Sequence, residues 1–277
     1  MKFTKMQGLG NDYLYVYGDV PDNIRELSVK LSDRHFGAGS DGMIYISRSD
    51  NADFKMRIFN ADGSEAKMCG NGIRCVGKYV YDRGLTRKTV LTIETLSGIK
   101  TLNLFLESGT VKQVSVDMGK GHTGEDLALD LPTQISEVLL NSLADPQVFC
   151  TPVDVGNPHA VIFTNDADSV PLEKTGPAIE HHPLFPDGVN VEFVHRTGPN
   201  NLRMRVWERG SGITMACGTG ACASVFSAVK KGFFGFDEPV FVQLDGGTLE
   251  ILVKNNGDIL MTGPAEFVYD GETEVAI

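Results

Sequence analysis

The sequence is poor in cysteine and has no long apolar run, and both shortages narrow what the protein can be. Its five cysteines are few and odd in number, which argues against a disulfide scaffold and favours free thiols in a reducing cytoplasm. No segment approaches the roughly 18 consecutive apolar residues of a membrane-spanning helix. The first residues, Met1 to Met6, lack the apolar core of a secretory signal. These absences predict a cytoplasmic protein without a membrane partner.

Positive charge is also scarce. The chain has 25 Lys and Arg residues against 36 Asp and Glu, a formal net charge of −11. Nucleic acid and anionic membrane surfaces both require a basic face on the protein, so neither is an expected partner. An acidic protein can still be locally positive at one site, so a small anionic substrate remains possible.

What the chain does have is a globular composition and 277 residues, enough for one large domain or two smaller ones. Strand-like runs alternate with helical segments, which we predict at 22–33, from 70 to about 83, at 172–181 and at about 218–231. The second and fourth helices are apolar nearly all round, which is typical of buried helices. We therefore predict an α/β (α+β) protein in which curved, mixed or antiparallel sheets wrap around central apolar helices.

The chain also contains one long-period duplication. Landmarks recur in order at offsets of 146 to 149 residues: Gly10-Asn11 with Gly156-Asn157, His35 with His182, Asp41 with Asn190, Gly63-Ser64 with Gly210-Ser211, Cys69 with Cys217, and Gly98 with Gly247. This order predicts two similar lobes related by a pseudo-twofold axis. A site between them would take one cysteine and one asparagine loop from each lobe.

The paired motif is Cys-Gly-x-Gly at the start of a helix, at Cys69 and again at Cys217. Small residues let a ligand approach the backbone, and the exposed amides and helix dipole attract a carboxylate. The same field favours thiolate over thiol. Two such thiols on opposite faces of one carbon would act as base and acid, which inverts a stereocentre.

Other interpretations of the cysteines remain open. A buried structural role is preferred for Cys75, Cys150 and Cys222, and it is the simplest alternative for Cys69 and Cys217. The cysteine spacing does not match a zinc site, so no metal is expected. A disulfide between Cys69 and Cys217 would represent oxidative inactivation in a reducing compartment.

Polar residues cluster near the duplicated landmarks. Turn-like sequence surrounds Asn11, Asn60, Asn157 and Asn190, each of which could instead be a turn or cap residue. Asn60 lies nine residues before Cys69, as Glu208 does before Cys217, so the two occupy equivalent positions. The pair Glu208-Arg209 could bind an ammonium and a carboxylate, or form an exposed salt bridge. His159 could tune a thiol or serve a structural role.

With these motifs the sequence resembles the diaminopimelate epimerase family. The segments that carry the resemblance are Gly8–Tyr13, Phe59–Ser64, Met68–Cys75, Gly156–His159, Gly188–Glu192, Trp207–Gly210 and Ala216–Gly220. The resemblance implies a cofactor-independent isomerase that interconverts LL- and meso-2,6-diaminoheptanedioate, on the route to lysine and the bacterial cell wall. It also implies a homodimer whose protomer has an N-terminal lobe at 1–117 plus 263–277, a C-terminal lobe at 118–262, and an active site in the cleft between them.

The resemblance also assigns roles to individual residues. Cys69 and Cys217 would be the acid and base, supported by His159 and Glu208. The substrate-binding residues would be Asn11, Asn60, Asn157, Asn190, Glu208 and Arg209, together with the backbone of Gly70-Asn71 and Gly218-Thr219. One position departs from the pattern: some family members have Gln where this chain has Gly42, so no side-chain contact is expected there.

Two alternative functions stay open at this stage. A racemase of another amino acid, such as proline, would use the same two thiols, although the extra Asn and Arg residues favour a substrate with a second polar head. A non-catalytic thiol-redox or amino-acid-binding protein would explain paired cysteines but not the duplicated helix starts. No lysine stands in a convincing context for a pyridoxal Schiff base, so we expect no such cofactor.

Overall fold

The computed structural model describes residues 1–123, 138–140 and 148–274. The chain divides into two compact units. Unit 1 comprises Met1–Asp117 and Thr262–Ile277, and unit 2 comprises Met118–Met261. The described residues of each unit form mainly strands, together with two helices.

The first part of the chain supplies eight strands and two helices. In chain order they are β1 (Lys2–Gly8), β2 (Asn11–Tyr17), α1 (Ile24–Ser32), β3 (Gly42–Ser47), β4 (Phe54–Asn60), β5 (Glu65–Ala66), α2 (Gly70–Asp82), β6 (Val90–Thr95), β7 (Gly98–Glu107) and β8 (Thr110–Lys120).

The rest of the chain supplies the other strands and helices. In chain order they are β9 (His122–Thr123), β10 (Val138–Leu140), β11 (Val148–Asp154), β12 (Pro158–Phe163), α3 (Leu172–Glu180), β13 (Asn190–Gly198), β14 (Asn201–Glu208), β15 (Gly212–Ile213), α4 (Gly218–Lys230), β16 (Pro239–Leu244), β17 (Gly247–Val253), β18 (Asp258–Pro264) and β19 (Glu266–Glu272). The last strand, β19, belongs to unit 1.

The two units repeat one strand topology. In unit 1, β1 pairs antiparallel with β19 and β2, β2 runs parallel to β3, β3 is antiparallel to β4, and β4 runs parallel to β6. In unit 2, β11 pairs antiparallel with β9 and β12, β12 runs parallel to β13, β13 is antiparallel to β14, and β14 runs parallel to β16. Both sheets are therefore mixed, which confirms the predicted fold class.

A buried helix lies at the centre of each unit. Along α2 every residue from Gly70 to Lys78 is buried, and along α4 every residue from Gly220 to Val229 is buried. Helix α2 packs against β1, β2 and β7, and α4 packs against β11 to β14, β16 and β17. A helix that is apolar on most faces must be enclosed in this way to remove its side chains from water.

The ends of these helices also follow the sequence. Each begins at the first glycine of Cys-Gly-x-Gly, with Cys69 or Cys217 as the extended N-cap residue. Helix α2 ends at Asp82 and α4 at Lys230, two residues before the glycines Gly84 and Gly232 that predict the stop. The two cysteines are thereby held at the amino-terminal ends of the two central helices.

Candidate active site

In unit 1 the predicted acid/base thiol caps helix α2. The Cys69 sulfur accepts a hydrogen bond from the Gly72 backbone N–H at 3.3 Å. The same sulfur donates to Asn11 Oδ1 at 3.3 Å. Cys69 is half-buried. The structure therefore brings Asn11, from the Gly-Asn loop, into contact with the thiol, and we call this cluster the Cys69 site.

The Asn11 amide has a fixed orientation. Its Nδ2 donates to Asp41 Oδ2 at 2.8 Å, so its oxygen faces the sulfur. Asp41 Oδ2 also accepts from the Asp12 backbone N–H at 3.0 Å, and Asp41 Oδ1 accepts from Arg34 at 2.8 Å. Burial raises the pKa of Asp41, and the charge of Asp12 adds to this, while the bonds to Asn11 and Asp12 N–H oppose it. Asp41 was identified only as a duplicated landmark, and its role in holding Asn11 was missed.

Other predicted residues of unit 1 lie at the end of β4 and at the start of α2. Asn60 is the last residue of β4, and its Nδ2 donates to Ser64 Oγ at 3.0 Å. Asn71, in the first turn of α2, accepts from Arg74 Nη1 at 3.0 Å, and the Gly70 carbonyl accepts from the same nitrogen at 3.2 Å. The substrate-binding role of Asn60 stays a prediction.

Gly42 cannot carry a side chain on this backbone. Its φ is +153°, and a Cβ there would lie 2.2 Å from the Phe59 carbonyl oxygen and 2.9 Å from Asn60 Cα. Both are backbone atoms and cannot move aside cheaply. The path of β3 and β4 therefore leaves no room at this position for the Gln that some family members have.

In unit 2 the second thiol is buried at the start of α4. The Cys217 sulfur lies 3.5 Å from Thr219 Oγ1. Burial raises the pKa of the Cys217 thiol well above its ordinary value, and the Glu208 and Glu192 carboxylates raise it further. Burial and the two carboxylates therefore oppose, at Cys217, the thiolate that the helix start is expected to favour.

Glu208 stands beside this thiol. It ends β14, is half-buried and accepts a hydrogen bond from the Thr214 hydroxyl. Burial raises the pKa of Glu208, while the bond from Thr214 opposes the shift. The predicted supporting residue therefore acts on the predicted acid/base residue through its charge. Thr214 was not identified from the sequence, and it carried no signal beyond its place near the motif.

A chain of hydrogen bonds leads from Cys217 to a buried histidine. Thr219 Oγ1 accepts from Asn157 Nδ2 at 3.3 Å, and Asn157 Oδ1 faces His159 Nε2 at 3.0 Å. His159 Nδ1 lies 2.7 Å from Glu192 Oε1. We call these residues with Glu208 the Cys217 site. Glu192 received no role from the sequence, although a carboxylate inside the apolar run of β13 was the available signal.

Asn190 and Arg209 connect two loops of the same unit. Asn190 Nδ2 donates to the Pro158 carbonyl at 2.9 Å, and Asn190 Oδ1 accepts from the Arg209 backbone N–H at 3.0 Å. The Arg209 guanidinium is exposed and donates to the Asp187 carbonyl at 3.1 Å. Asn190 thus holds the loop that carries Arg209 next to the loop that carries Asn157 and His159.

A second carboxylate that sequence reasoning missed holds the Glu208-Arg209 turn. Glu180, at the end of α3, accepts from Trp207 Nε1 at 2.7 Å and from the Gly210 backbone N–H at 2.9 Å. These donors flank the turn on either side. The bonds to Trp207 and Gly210 lower the pKa of Glu180 despite the opposing effect of burial. Glu180 therefore fixes the turn as an ionised carboxylate.

The fold and these sites define a class: a duplicated mixed α/β protein with a thiol at the start of each central helix. Two solved structures share the fold across 99% of this chain. A probable proline racemase from Agrobacterium radiobacter has a TM-score of 0.71 at 15% identity, with 93% of its own chain covered. A phenazine biosynthesis protein from Bacillus anthracis has a TM-score of 0.73 at 16% identity, with 99% covered. At these identities the likeness shows the fold alone.

Closer relatives identify the family. The family model for diaminopimelate epimerase matches residues 3–123 and 151–268. The diaminopimelate epimerases of Acetivibrio thermocellus and Phocaeicola vulgatus are each 50% identical to this chain, over 279 and 285 residues, with 99% of both chains covered in each case. The chain belongs to the diaminopimelate epimerase family, as its motifs predict.

Proposed function

We propose that this protein is an isomerase that interconverts LL- and meso-2,6-diaminoheptanedioate by exchanging a proton at one α-carbon. The observation that carries the proposal is the duplicated thiol: each unit places a cysteine as the N-cap residue of its central helix. Relatives at 50% identity over nearly the whole chain bear the matching name. A substrate of this kind places the reaction in lysine and peptidoglycan precursor synthesis.

The proposed chemistry uses Cys69 and Cys217 on opposite faces of the α-carbon. One thiolate removes the α-proton, and the electron pair of the broken C–H bond delocalises onto the adjacent carboxylate. The other thiol then delivers its proton to the opposite face, so the sulfurs exchange protonation states and the stereocentre is inverted. Because burial raises the pKa of Cys217, we assign it the proton-donating role in the ligand-free protein.

The developing negative charge needs a sink. The first backbone amides of α2, at Gly70-Asn71, and of α4, at Gly218-Thr219, lie at helix starts whose dipole favours an anion. We propose that these amides hold the reacting carboxylate, which would stabilise the enolate-like transition state electrostatically. This makes a pyridoxal cofactor unnecessary. Borohydride treatment that abolishes turnover would contradict that part of the proposal.

The remaining polar residues would bind the distal amino-acid end of the substrate. Arg209 has an exposed guanidinium suited to a carboxylate. Glu208, Asn11, Asn60, Asn157 and Asn190 would complete the polar set predicted from the sequence. A substrate panel separates this function from racemisation of proline, which lacks the second head group these residues require.

We also propose a homodimer, which the family resemblance predicts, and a cytoplasmic location, which the few free cysteines predict. Among the described residues, no helix is long and apolar enough to cross a membrane. Sedimentation equilibrium of the purified protein gives the test, since a monomer at micromolar concentration would contradict the dimer.

The decisive experiment compares Cys69→Ala and Cys217→Ala with the wild-type protein. Each variant should lose turnover of LL-diaminoheptanedioate by at least about 10³-fold, because positioned acid and base groups contribute on this scale. The wild-type protein in D₂O should incorporate deuterium at the α-carbon. Near wild-type turnover by either variant would overturn the two-thiol mechanism, and substrate binding without any exchange would favour a non-catalytic binding protein.

A further inference from the structure

Glu192 is a buried carboxylate at a place where the other unit carries an isoleucine. Glu192 on β13 and Ile44 on β3 are 148 residues apart, as the two cysteines are, and both are fully buried. Each lies under the second glycine of Cys-Gly-x-Gly. A Cβ on Gly220 would lie 2.7 Å from Glu192 Oε1, and a Cβ on Gly72 would lie 2.6 Å from Ile44 Cδ1. The fold therefore accepts an apolar side chain at this position. Packing alone does not explain why unit 2 has a buried carboxylate there.

The contacts of Glu192 lead to the thiol. Its Oε1 lies 2.7 Å from His159 Nδ1, and both side chains are fully shielded from solvent. From the other ring nitrogen the chain continues through Asn157 and Thr219 to the Cys217 sulfur, over distances of 3.0, 3.3 and 3.5 Å. In unit 1 the cysteine instead contacts Asn11 directly.

The direction of the chain follows from its donors. Asn157 turns its NH₂ group to Thr219 and its oxygen to the imidazole, so His159 Nε2 must donate. His159 Nδ1 faces a carboxylate at the distance of a charge-assisted hydrogen bond. The other Glu192 oxygen, Oε2, has no hydrogen-bond partner in the described part of the chain. A buried carboxylate with one bare oxygen is costly unless a cation neutralises it.

Acidic groups face this pair from the elements packed around it. Glu208 ends β14, and the Cys217 thiol stands at the start of α4. Burial raises the pKa of Glu208, and His159 opposes that rise. His159 therefore lies between acidic groups on two sides.

We propose that Glu192 is a positioning residue that holds His159 with both ring nitrogens protonated and so sets the direction of the hydrogen-bond chain to Cys217. Thr219 accepts from Asn157 and turns its own hydroxyl hydrogen toward the sulfur. The effect on turnover rests on the proposed epimerase function, whereas the protonation of His159 does not.

The test uses Glu192→Gln, which keeps the shape of the side chain, and Glu192→Ile, which copies unit 1. Ring ¹⁵N chemical shifts at pH 7, assigned by loss of the signals in His159→Asn, should show two protonated nitrogens in the wild-type protein. One nitrogen should lose its proton in each Glu192 variant. In both Glu192 variants the turnover number should fall by about 10²-fold, and KM should change by a smaller factor. Glu250→Gln, a half-buried acid on β17, is the matched control and should leave both readouts unchanged.

Two results would overturn the proposal: an unprotonated His159 nitrogen in the wild-type protein, or unchanged ring protonation in Glu192→Gln. If Glu192→Ile does not fold, as judged by circular dichroism, the ring protonation of His159 in Glu192→Gln still tests the proposal. If the wild-type protein does not epimerise diaminoheptanedioate, the proposed function fails, but the ¹⁵N comparison still tests the role of Glu192.

Discussion

The Cys69 site and the Cys217 site share one backbone arrangement, but the asparagine amide beside each thiol is oriented in the opposite way. In each, a cysteine caps the central helix and the Asn of a Gly-Asn loop stands nearby. At Cys69 the amide of Asn11 turns its oxygen to the sulfur, and Asp41 holds it there. At Cys217 the amide of Asn157 turns its NH₂ group toward Thr219, which contacts the sulfur. The repeated frame positions the two thiols, and the side chains around them make them chemically different.

A second difference concerns charge. Asn60 in unit 1 and Glu208 in unit 2 both end a strand, yet only the latter is ionisable. Ile44 and Glu192 differ in the same way beneath the helix starts. Unit 2 therefore surrounds its thiol with two carboxylates, which raise the pKa of Cys217. An acid/base pair that must act in both directions gains from such unequal environments, because one sulfur then holds its proton while the other can give it up.

The largest effect that would sharpen this comparison is expected from Glu208→Gln. Removing the charge that raises the pKa of the proposed acid/base thiol should lower the turnover number by about 10²- to 10⁴-fold. Asn60→Ala, at the equivalent position of unit 1, should cost less and leave the pH profile unchanged. Equal losses and equal pH profiles for the two variants, measured by steady-state kinetics, would contradict the proposed asymmetry.

The same variant carries a pH prediction with a definite sign. The Glu208 carboxylate raises the pKa of Cys217, so Glu208→Gln should let Cys217 react with iodoacetamide at lower pH, as followed by mass spectrometry. Folding raises the pKa of Glu208 itself above its ordinary 4.5. The wild-type protein should then lose stability, relative to Glu208→Gln, as pH rises from about 4.5 through the raised pKa. Urea denaturation at several pH values measures this difference, and the exposed Glu107→Gln serves as control.

The sequence was sufficient for the fold class, for the four helices of the described residues and for the equivalence of the two cysteines, because these depend on local patterns and on long repeats. It placed Glu208 at the end of a strand, as the structure has it, whereas it assigned Asn60, the last residue of β4, to the turn that follows. It could not give the protonation of Cys217, since the helix start favours thiolate and only the burial of the folded chain reverses that preference. The roles of Asp41, Glu180 and Glu192 were also out of reach, because each acts through a hydrogen bond to a residue 27 to 33 positions away.

A smaller effect is expected from Glu180→Gln, which tests how unit 2 holds its Glu208-Arg209 turn. The glutamine amide can accept from only one of Trp207 and Gly210, so one charge-assisted hydrogen bond is lost. Stability should fall by about 1.5–3 kcal/mol, and kcat/KM should fall because Arg209 is displaced. Thermal denaturation and steady-state kinetics give the two values. Glu173→Gln, an exposed change on the same helix, is the control and should leave both unaltered.

The smallest effect is expected from Asp41→Asn, which tests how unit 1 orients Asn11. A carboxylate can only accept, so it fixes the Asn11 oxygen toward Cys69, whereas an amide at position 41 would permit either orientation. Loss of this constraint should lower kcat/KM by about 2- to 12-fold, the value of one hydrogen bond of 0.5–1.5 kcal/mol. The exposed Asp19→Asn should have no effect. A loss as large as that of Glu208→Gln would show that the Cys69 site depends on charge as strongly as the Cys217 site does, and the contrast between the two thiols would then have to be sought in their burial alone.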